Sequence, residues 1–278
     1  MIEVVDLFAG GGGATEGFEQ AGATVVLAVD FWGMALKLHE LNHPNVEIAK
    51  MELGGSITLM ASFIRSRLTK GAHFHLHGSP PCQSLSNASN VNSQKGMDLV
   101  LWFIKLVKYM KPNSWSMENV LPVRKYLDPI GIPYQIVNAA DYGVPQARKR
   151  VFAGEGWTLT PTHENNHVSV LEALPSLQDI LPPDHRIVSR RRGKNHPSPI
   201  KHQSYSADQP SHTITRLGHV IETPVQRIRS LSVRESAILQ GWDNIKIDDS
   251  MKKKDLWVIV GNMVCPPVAK AIIEGLIE

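Results

Sequence analysis

Ile2-Glu3-Val4-Val5-Asp6-Leu7-Phe8 runs directly into Ala9-Gly10-Gly11-Gly12-Gly13, and a helical pattern follows through Phe18 to Gly22. The first seven residues read as a buried parallel strand. Strand, glycine turn and helix together make the opening of a nucleotide-binding α/β unit. Glycines such as Gly10 and Gly12 let a ligand approach the backbone closely, and the helix N-terminus that follows favours electron-rich groups. The loop lacks the lysine and hydroxyl of a triphosphate-binding loop, and it does not match the full dinucleotide spacing. A nucleoside-type cofactor without a phosphate chain suits it better. The fold expected is α/β, a doubly wound and mostly parallel sheet.

The next strand, Thr24 to Val29, ends in Asp30. A carboxylate at that strand tip can accept hydrogen bonds from ribose hydroxyls or cap a helix over Trp32–Leu41, and its pairing with the glycine loop favours the first role. Val46 to Ala49 reads as a third strand with Glu52 after it, and Ile57 to Leu68 as an amphipathic helix. Phe74 to Leu76 then leads into Gly78-Ser79-Pro80-Pro81-Cys82-Gln83-Ser84-Leu85-Ser86. The two prolines stop a helix from starting and leave Cys82 on a stiff, extended turn. A free cysteine is often only a small buried hydrophobe. At the tip of a strand in such a fold, Cys82 is also a candidate nucleophile.

His73, His75 and His77 share one face of their strand. No carboxylate or cysteine at ligand spacing accompanies them, so no metal is expected. Ser86 to Gly96 is polar and aperiodic and reads as a closing loop. Met97 to Met110 is a long helix ended by Pro112. Ser114 to Met117 is another strand, and Glu118-Asn119-Val120 sits at its tip. Glu118 alone would read as a loop acid or a cap. Beside Cys82 on the C-terminal edge of a parallel sheet, it faces the same cleft.

Composition sets the bounds. A chain of 278 residues holds a substantial core and room for two lobes. No apolar run approaches the roughly 20 residues of a bilayer span, and no basic leader precedes the first strand. Two cysteines, Cys82 and Cys265, support neither a disulfide framework nor a four-thiolate zinc site. A cytoplasmic setting fits. The net charge of +3 permits a polyanionic partner without demanding one.

Tyr134 to Tyr142 and Val151 to Ala153 read as strands around Gln146-Ala147-Arg148-Lys149-Arg150. From Gly156 to Gly218 the chain turns rich in Pro, His, Ser and Asn, with little periodicity. This marks a small, irregular lobe, and the chain divides there into 1–154, 155–226 and 227–278. Arg190-Arg191-Arg192 with Lys194 forms a basic cluster suited to phosphates. Lys252-Lys253-Lys254 reads as an exposed helix start or loop, and Trp257 to Ile277 as helical after Pro266-Pro267.

These stretches, in this order, resemble the cytosine-C5 methyltransferases. Asp6–Gly13 is similar to that family's cofactor loop, Pro81-Cys82-Gln83 to its nucleophile motif, and Glu118-Asn119-Val120 to its acid motif. Gln146–Arg150 resembles its Gln-x-Arg-x-Arg motif. Arg229–Glu235, running on to Leu239-Gln240-Gly241, resembles the support of the recognition region, and Gly261-Asn262-Met263-Val264 with Pro266-Pro267 its closing motif. The resemblance implies a Rossmann-like methyltransferase that uses S-adenosylmethionine on cytosine in double-stranded DNA, flipped out of the helix. It implies Cys82 as the nucleophile on C6, Glu118 as the acid at N3, Arg150 as the arginine that holds O2 and positions the acid, and Arg148 as the one nearer the backbone. It also implies 1–154 as the cofactor-binding and catalytic domain, 155–226 as a target-recognition domain and 227–278 as a segment that returns to complete the first.

Among cofactor contacts it implies Phe8 on the adenine side, Asp30 at the ribose where Glu is common, and Phe31 where Trp is common. Glu52, Pro81, Leu99 and Asn262 complete the set, with Met263 standing in place of the usual Ala. Gln83, Ser86, Asn119, Gln146, Thr213 and Thr215 fall on the substrate side. A monomer is expected, with a restriction endonuclease for the same site as companion, or a role in phage or host DNA protection. The alternatives are a tRNA cytosine-C5 methyltransferase, whose usual Cys-Phe-Thr insert is absent here, and a silent DNA-binding relative, which the full catalytic set disfavours.

Overall fold

In a computed structural model the described residues are 1–81, 93–181, 186–191, 201–215, 219–222 and 227–276. The opening strand, β1 (Ile2–Leu7), is buried along nearly its whole length. Val5 and Leu7 join one hydrophobic core and Val4 another, because successive side chains of a strand point to opposite faces. Helix α1 (Gly13–Gln20) follows, then β2 (Thr24–Asp30), α2 (Gly33–Asn42), β3 (Glu47–Lys50), α3 (Ile57–Arg65) and β4 (His73–Gly78). Helix α4 (Ser93–Met110), β5 (Ser114–Asn119), α5 (Arg124–Leu127), β6 (Tyr134–Asn138), β7 (Gln146–Ala147) and β8 (Lys149–Glu155) complete this part.

The seven-stranded sheet has the order β3-β2-β1-β4-β5-β8-β6. Only β8 runs antiparallel to its neighbours, β5 and β6. The α/β, doubly wound and mostly parallel architecture is therefore present. Its first core packs α3 and α4 on one face, through residues such as Ile64, Phe103 and Leu106. Its second core covers the other face with Phe18 of α1 and Val268, Ala269 and Ile272.

Those last three residues come from the far end of the chain. After α6 (Val170–Ala173), β9 (Arg186–Arg191), β10 (Lys201–Ser206), β11 (Ser211–His212), β12 (His219–Glu222) and β13 (Arg227–Ser230), the chain returns. It does so through α7 (Val233–Ile238), α8 (Lys253–Asn262) and α9 (Pro266–Glu274). Helix α9 lies against α1 so closely that a Cβ at Gly17 would stand 2.1 Å from the Pro266 carbonyl oxygen. Lys253–Glu274 is, against expectation, long and apolar enough by length and composition to cross a membrane. Two-thirds of its most apolar window is buried inside the protein. Its apolarity follows from packing against α1 and the sheet.

Two stretches are more regular than composition announced. The segment from 156 to 218 contributes to a four-stranded sheet, β10-β9-β12-β13, antiparallel throughout. That sheet runs on to Ser230, past residue 226. Its core gathers Leu177, Ile214, Ile221 and Leu239. Helix α4 begins at Ser93, so Ser93–Gly96, expected as loop, belong to the helix. Gln94 and Lys95 are adequate helix formers and carry it back a turn. Conversely, the strand expected to reach Tyr142 stops at Asn138 and gives way to a 3-10 turn over Ala139–Tyr142.

Candidate active site

The site lies along the edge where β1, β2, β4 and β5 end. Phe8, just past β1, has φ 59°, a left-handed backbone that a phenylalanine rarely adopts. Such strain persists where surrounding structure imposes it. The Phe8 ring meets Trp102 of α4 edge to face at 6.2 Å. Trp102 in turn donates its indole N–H to the Gly55 carbonyl at 2.7 Å. Leu99, on the same helix, touches Gly54. Helix α4 thus seats the wall behind Phe8 and the loop that carries Glu52, which is exposed.

The glycines divide into two groups. At Gly10, with φ 54°, no described atom lies within 4 Å of where a Cβ would stand. At Gly11, Gly12 and Gly13 a Cβ would run into Ile259, His43 and the Val264 carbonyl, at 2.4, 2.8 and 2.4 Å. Gly11 to Gly13 are therefore demanded by the returning segment and by α2, and Gly10 alone faces open space. Asp30 fixes the turn: its carboxylate accepts the Gly10 N–H at 2.9 Å and the Trp32 N–H at 2.8 Å. Burial nonetheless pushes its pKa up. It makes no side-chain cap for α2, whose N-cap is Trp32. Each carboxylate oxygen keeps a further lone pair for a hydroxyl. Phe31 beside it is 62% exposed. Asn262, at the end of α8, is also exposed. An open Gly10, a carboxylate at the second strand tip and an exposed ring together fit a nucleoside group.

Glu118 is nearly buried at the tip of β5, and Arg150 on the neighbouring antiparallel strand contacts it, Nε to Oε1, at 3.1 Å. The register explains the contact. Glu118 stands opposite Phe152, and β8 starts at Lys149 on the same edge. Burial raises the Glu118 pKa, while the guanidinium groups of Arg150 and Arg148 oppose the rise. A small cleft here is lined by Glu118, Arg148, Arg150, Val264, Cys265 and Val268. The Cys265 thiol in its wall is pushed up to about 11 by burial, so it stays protonated.

Arg148 is placed differently from Arg150. Its buried guanidinium donates to the carbonyls of Ile214, Gly261 and Met263, at 3.2 to 3.3 Å. It therefore ties β8's approach to the stretch before β12 and to the end of α8 at once. Gln146 does the same work beside it. Its amide donates to the Leu239 carbonyl at 3.1 Å and accepts the Ile214 N–H at 2.9 Å. Thr213 donates to the Ala147 carbonyl at 3.0 Å, and β11 pairs with β7. Thr215 is half-buried at the end of this stretch. Asn119 donates to the Pro80 carbonyl at 3.1 Å and accepts the Val120 N–H at 2.9 Å. It clamps the Pro80-Pro81 turn onto β5.

The 229–241 motif has a local logic. Ser232 and Glu235 form a capping box at the start of α7, and Arg229 holds both oxygens of Glu235 at 2.7 and 2.8 Å. Gln240 donates to the Val260 carbonyl, and Gly241 packs on Pro267. Cys82, Gln83 and Ser86 lie outside the described residues, as do Arg192 and Lys194.

Sequence reading passed over Asp6, although the residue stands in the opening motif. Its carboxyl is buried, accepts a hydrogen bond from Thr15 at 2.9 Å and keeps Oδ1 without a partner among the described residues. Burial pushes its pKa up to about 7, and nearby Asp30 adds to the rise. An acid in the middle of an apolar strand was the available signal. The family's model of C-5 cytosine-specific DNA methylases matches residues 2–154. Type II methyltransferase M1.HphI of Haemophilus parahaemolyticus is 26% identical over 336 aligned positions, which cover all of this chain and 87% of that protein. The alignment is longer than the chain, so the relative carries segments that are absent here. Type II methyltransferase M.DdeI of Desulfomicrobium norvegicum is 32% identical over 175 residues, 54% of this chain and 40% of that protein. In fold, the Dnmt2 methyltransferase of S. pombe is similar at TM-score 0.66 and 15% identity, over 98% of this chain and 97% of that one. With more than half of its length matched by the family's model, the chain belongs to the C-5 cytosine-specific DNA methylases.

Proposed function

We propose that this chain, a cytosine-5 DNA methyltransferase by family, acts on a cytosine swung out of double-stranded DNA and attacks C6 through Cys82. The observation that carries the reading is the pair of buried Glu118 with Arg150, set on the sheet edge beside the Pro80-Pro81 turn. A cytosine ring does not accept a methyl group at C5 until a nucleophile has added to C6. Addition is easier when N3 is held by an acid. Glu118, whose pKa is raised by burial, supplies that acid, and Arg150 orients it and holds the O2 edge. Arg148 and Gln146 act as positioning residues, because their polar atoms are committed to backbone. Asn119 holds the nucleophile's turn through Pro80.

S-adenosylmethionine supplies the methyl group when bound. Phe8, the open face of Gly10, Asp30 and Phe31 form the cradle for its nucleoside part, with Glu52, Leu99, Pro81 and Asn262 around it. The 155–226 lobe, whose sheet runs on to Ser230, reads the DNA, with Thr213, Thr215 and the Arg190–Lys194 cluster nearest to it. Flipping the base costs a few kcal/mol, which contacts in the closed pocket offset. The enzyme works in the cytoplasm as a monomer and protects sites from a restriction endonuclease of the same specificity.

Label from methyl-labelled S-adenosylmethionine should enter DNA and not tRNA, and bisulfite sequencing of a plasmid grown with the gene should show one short protected site. Label confined to tRNA, or absent from both, would overturn the reading. Cys82→Ser should end covalent capture on DNA that carries 5-fluorocytosine.

A further inference from the structure

Three histidines and three serines on β4 and β5 form one unbroken hydrogen-bonded line. His73 Nε2 lies 2.9 Å from Ser114 Oγ, and Ser114 Oγ lies 2.8 Å from His75 Nδ1. His75 Nε2 lies 2.8 Å from Ser116 Oγ, which lies 2.8 Å from His77 Nδ1. His77 Nε2 then reaches Ser79 Oγ at 3.1 Å. The line follows from sequence period and register. His75 pairs with Ser114 and His77 with Ser116, and all of them point to the face that Phe18 covers. Glu118 is the next residue in the same row of β5 as Ser114 and Ser116. Gly78 pairs with Met117, so extending the register by one rung sets Ser79 beside Glu118.

The orientation is uniform. In every ring Nε2 faces the active-site edge, and in His75 and His77 Nδ1 faces the opposite edge. A neutral imidazole has one donor and one acceptor, and a serine has one proton to give. Satisfying the bridging hydroxyls therefore sets all donors in one direction. Burial holds His77 down at about 3 and His75 well below the usual range, so both rings stay neutral with a lone pair available. Ser79 is half-buried just past the end of β4, and His73 is half-exposed at the other edge.

We propose that this line is a proton wire that carries the proton released at the cytosine pocket to solvent on the far edge of the sheet. The inference rests on the reading of the site given above. Replacing hydrogen at C5 by a methyl group releases one proton per turnover. The electron pair of the C5–H bond re-forms C5=C6 as the sulfur–C6 bond breaks. The proton is taken up by Ser79 Oγ, which passes its own to His77 Nε2. His77 gives its Nδ1 proton to Ser116, Ser116 gives its own to His75 Nε2, and His75 passes one through Ser114 to His73 Nε2. His73 releases its Nδ1 proton to water. Six groups change partner, and each keeps its proton count.

The test separates proton loss from the steps before it. Wild-type enzyme is compared with Ser116→Ala, which breaks the line at its centre, and with Ser116→Thr, which restores a hydroxyl. Covalent capture on 5-fluorocytosine DNA needs attack and methyl transfer but no loss of a C5 proton. Tritium release from 5-tritiated cytosine DNA needs that loss. Ser116→Ala should capture at the wild-type rate and release tritium at least about a hundredfold more slowly, the low end for proton transfer by a positioned group. Ser116→Thr should recover the release. If the alanine variant does not fold, Ser79→Ala breaks the line at its half-buried end and is read in the same way. Capture and release slowing together, or release unchanged, overturns the wire while leaving the cytosine reading intact. Absence of capture by the wild type removes both.

Discussion

Asp6→Asn should make the protein more stable at pH 8 and less stable at pH 4. The Asp6 carboxyl has its pKa raised from 3.8 to about 7, first by burial and then by Asp30. A carboxyl whose folded value lies above its unfolded value contributes stability that is fully present below the unfolded value. That stability is lost as pH rises through the folded one. The window here runs from about pH 4 to about pH 7. A shift of about three pK units corresponds to about 4 kcal/mol across it. Asparagine keeps an acceptor for Thr15 but buries an amide N–H₂, at a pH-independent cost of about 1–3 kcal/mol. The variant should start about 1–3 kcal/mol less stable at pH 4. Its relative stability should climb through the window and level off above pH 7 at a net gain of a similar size. At about 2–4 °C per kcal/mol for a domain of this size, the swing in melting temperature is about 10 °C. Urea denaturation of both proteins at half-unit pH steps measures the difference directly. A difference that stays flat between pH 4 and pH 8 would refute the assignment of a buried, protonatable carboxyl beneath the glycine loop.

Gly10→Ala and Gly17→Ala should separate cofactor binding from folding. The first costs about 1 kcal/mol for its left-handed backbone but weakens S-adenosylmethionine binding at least tenfold in a calorimetric titration. The second drives a Cβ into the Pro266 carbonyl, and its loss of about 3 kcal/mol should appear in thermal unfolding with binding retained in whatever folds. Asn119→Ala frees the Pro80 carbonyl; capture on 5-fluorocytosine DNA should slow about tenfold, while stability falls by only about 1 kcal/mol. Arg148→Met leaves three backbone carbonyls without their donor. It should lower stability by several kcal/mol, and a loss of turnover at full stability would instead place Arg148 at the substrate.

The order of elements, the mostly parallel sheet and the edge that carries the site could be read from the chain because each rests on local pattern. A mostly apolar strand followed by glycines announces itself, and so does an acid at the end of a strand. The four-stranded sheet was less legible. Arg186–Arg191 and Lys201–Ser206 are rich in polar residues, and their strands exist because they pair with each other and with β12. Pairing partners cannot be read from composition. The His73-His75-His77 alternation was visible, but its meaning depended on Ser114 and Ser116, about forty positions on, falling into register with it.

The same reasoning explains why the roles within Gln146–Arg150 divide as they do. The spacing of the motif shows only two arginines two residues apart; it is the family resemblance that set Arg150 at the acid and Arg148 nearer the backbone. In the sheet, β8 leaves the edge antiparallel to β5, which brings Arg150 to Glu118. Arg148, two residues earlier, precedes the strand and meets carbonyls 66, 113 and 115 positions away in sequence. Those carbonyls belong to Ile214 before β12, and to Gly261 and Met263 around the end of α8. A guanidinium can satisfy them together because its donors form a planar fork. One arginine therefore presents charge to the acid, and the other joins three segments that must come together before that acid has a pocket. The returning helices complete the glycine loop from behind, through Ile259 and Val264, and the same helices are anchored by Arg148. The proposed cofactor site and the proposed base pocket thus share one support, and loosening it should weaken both in parallel.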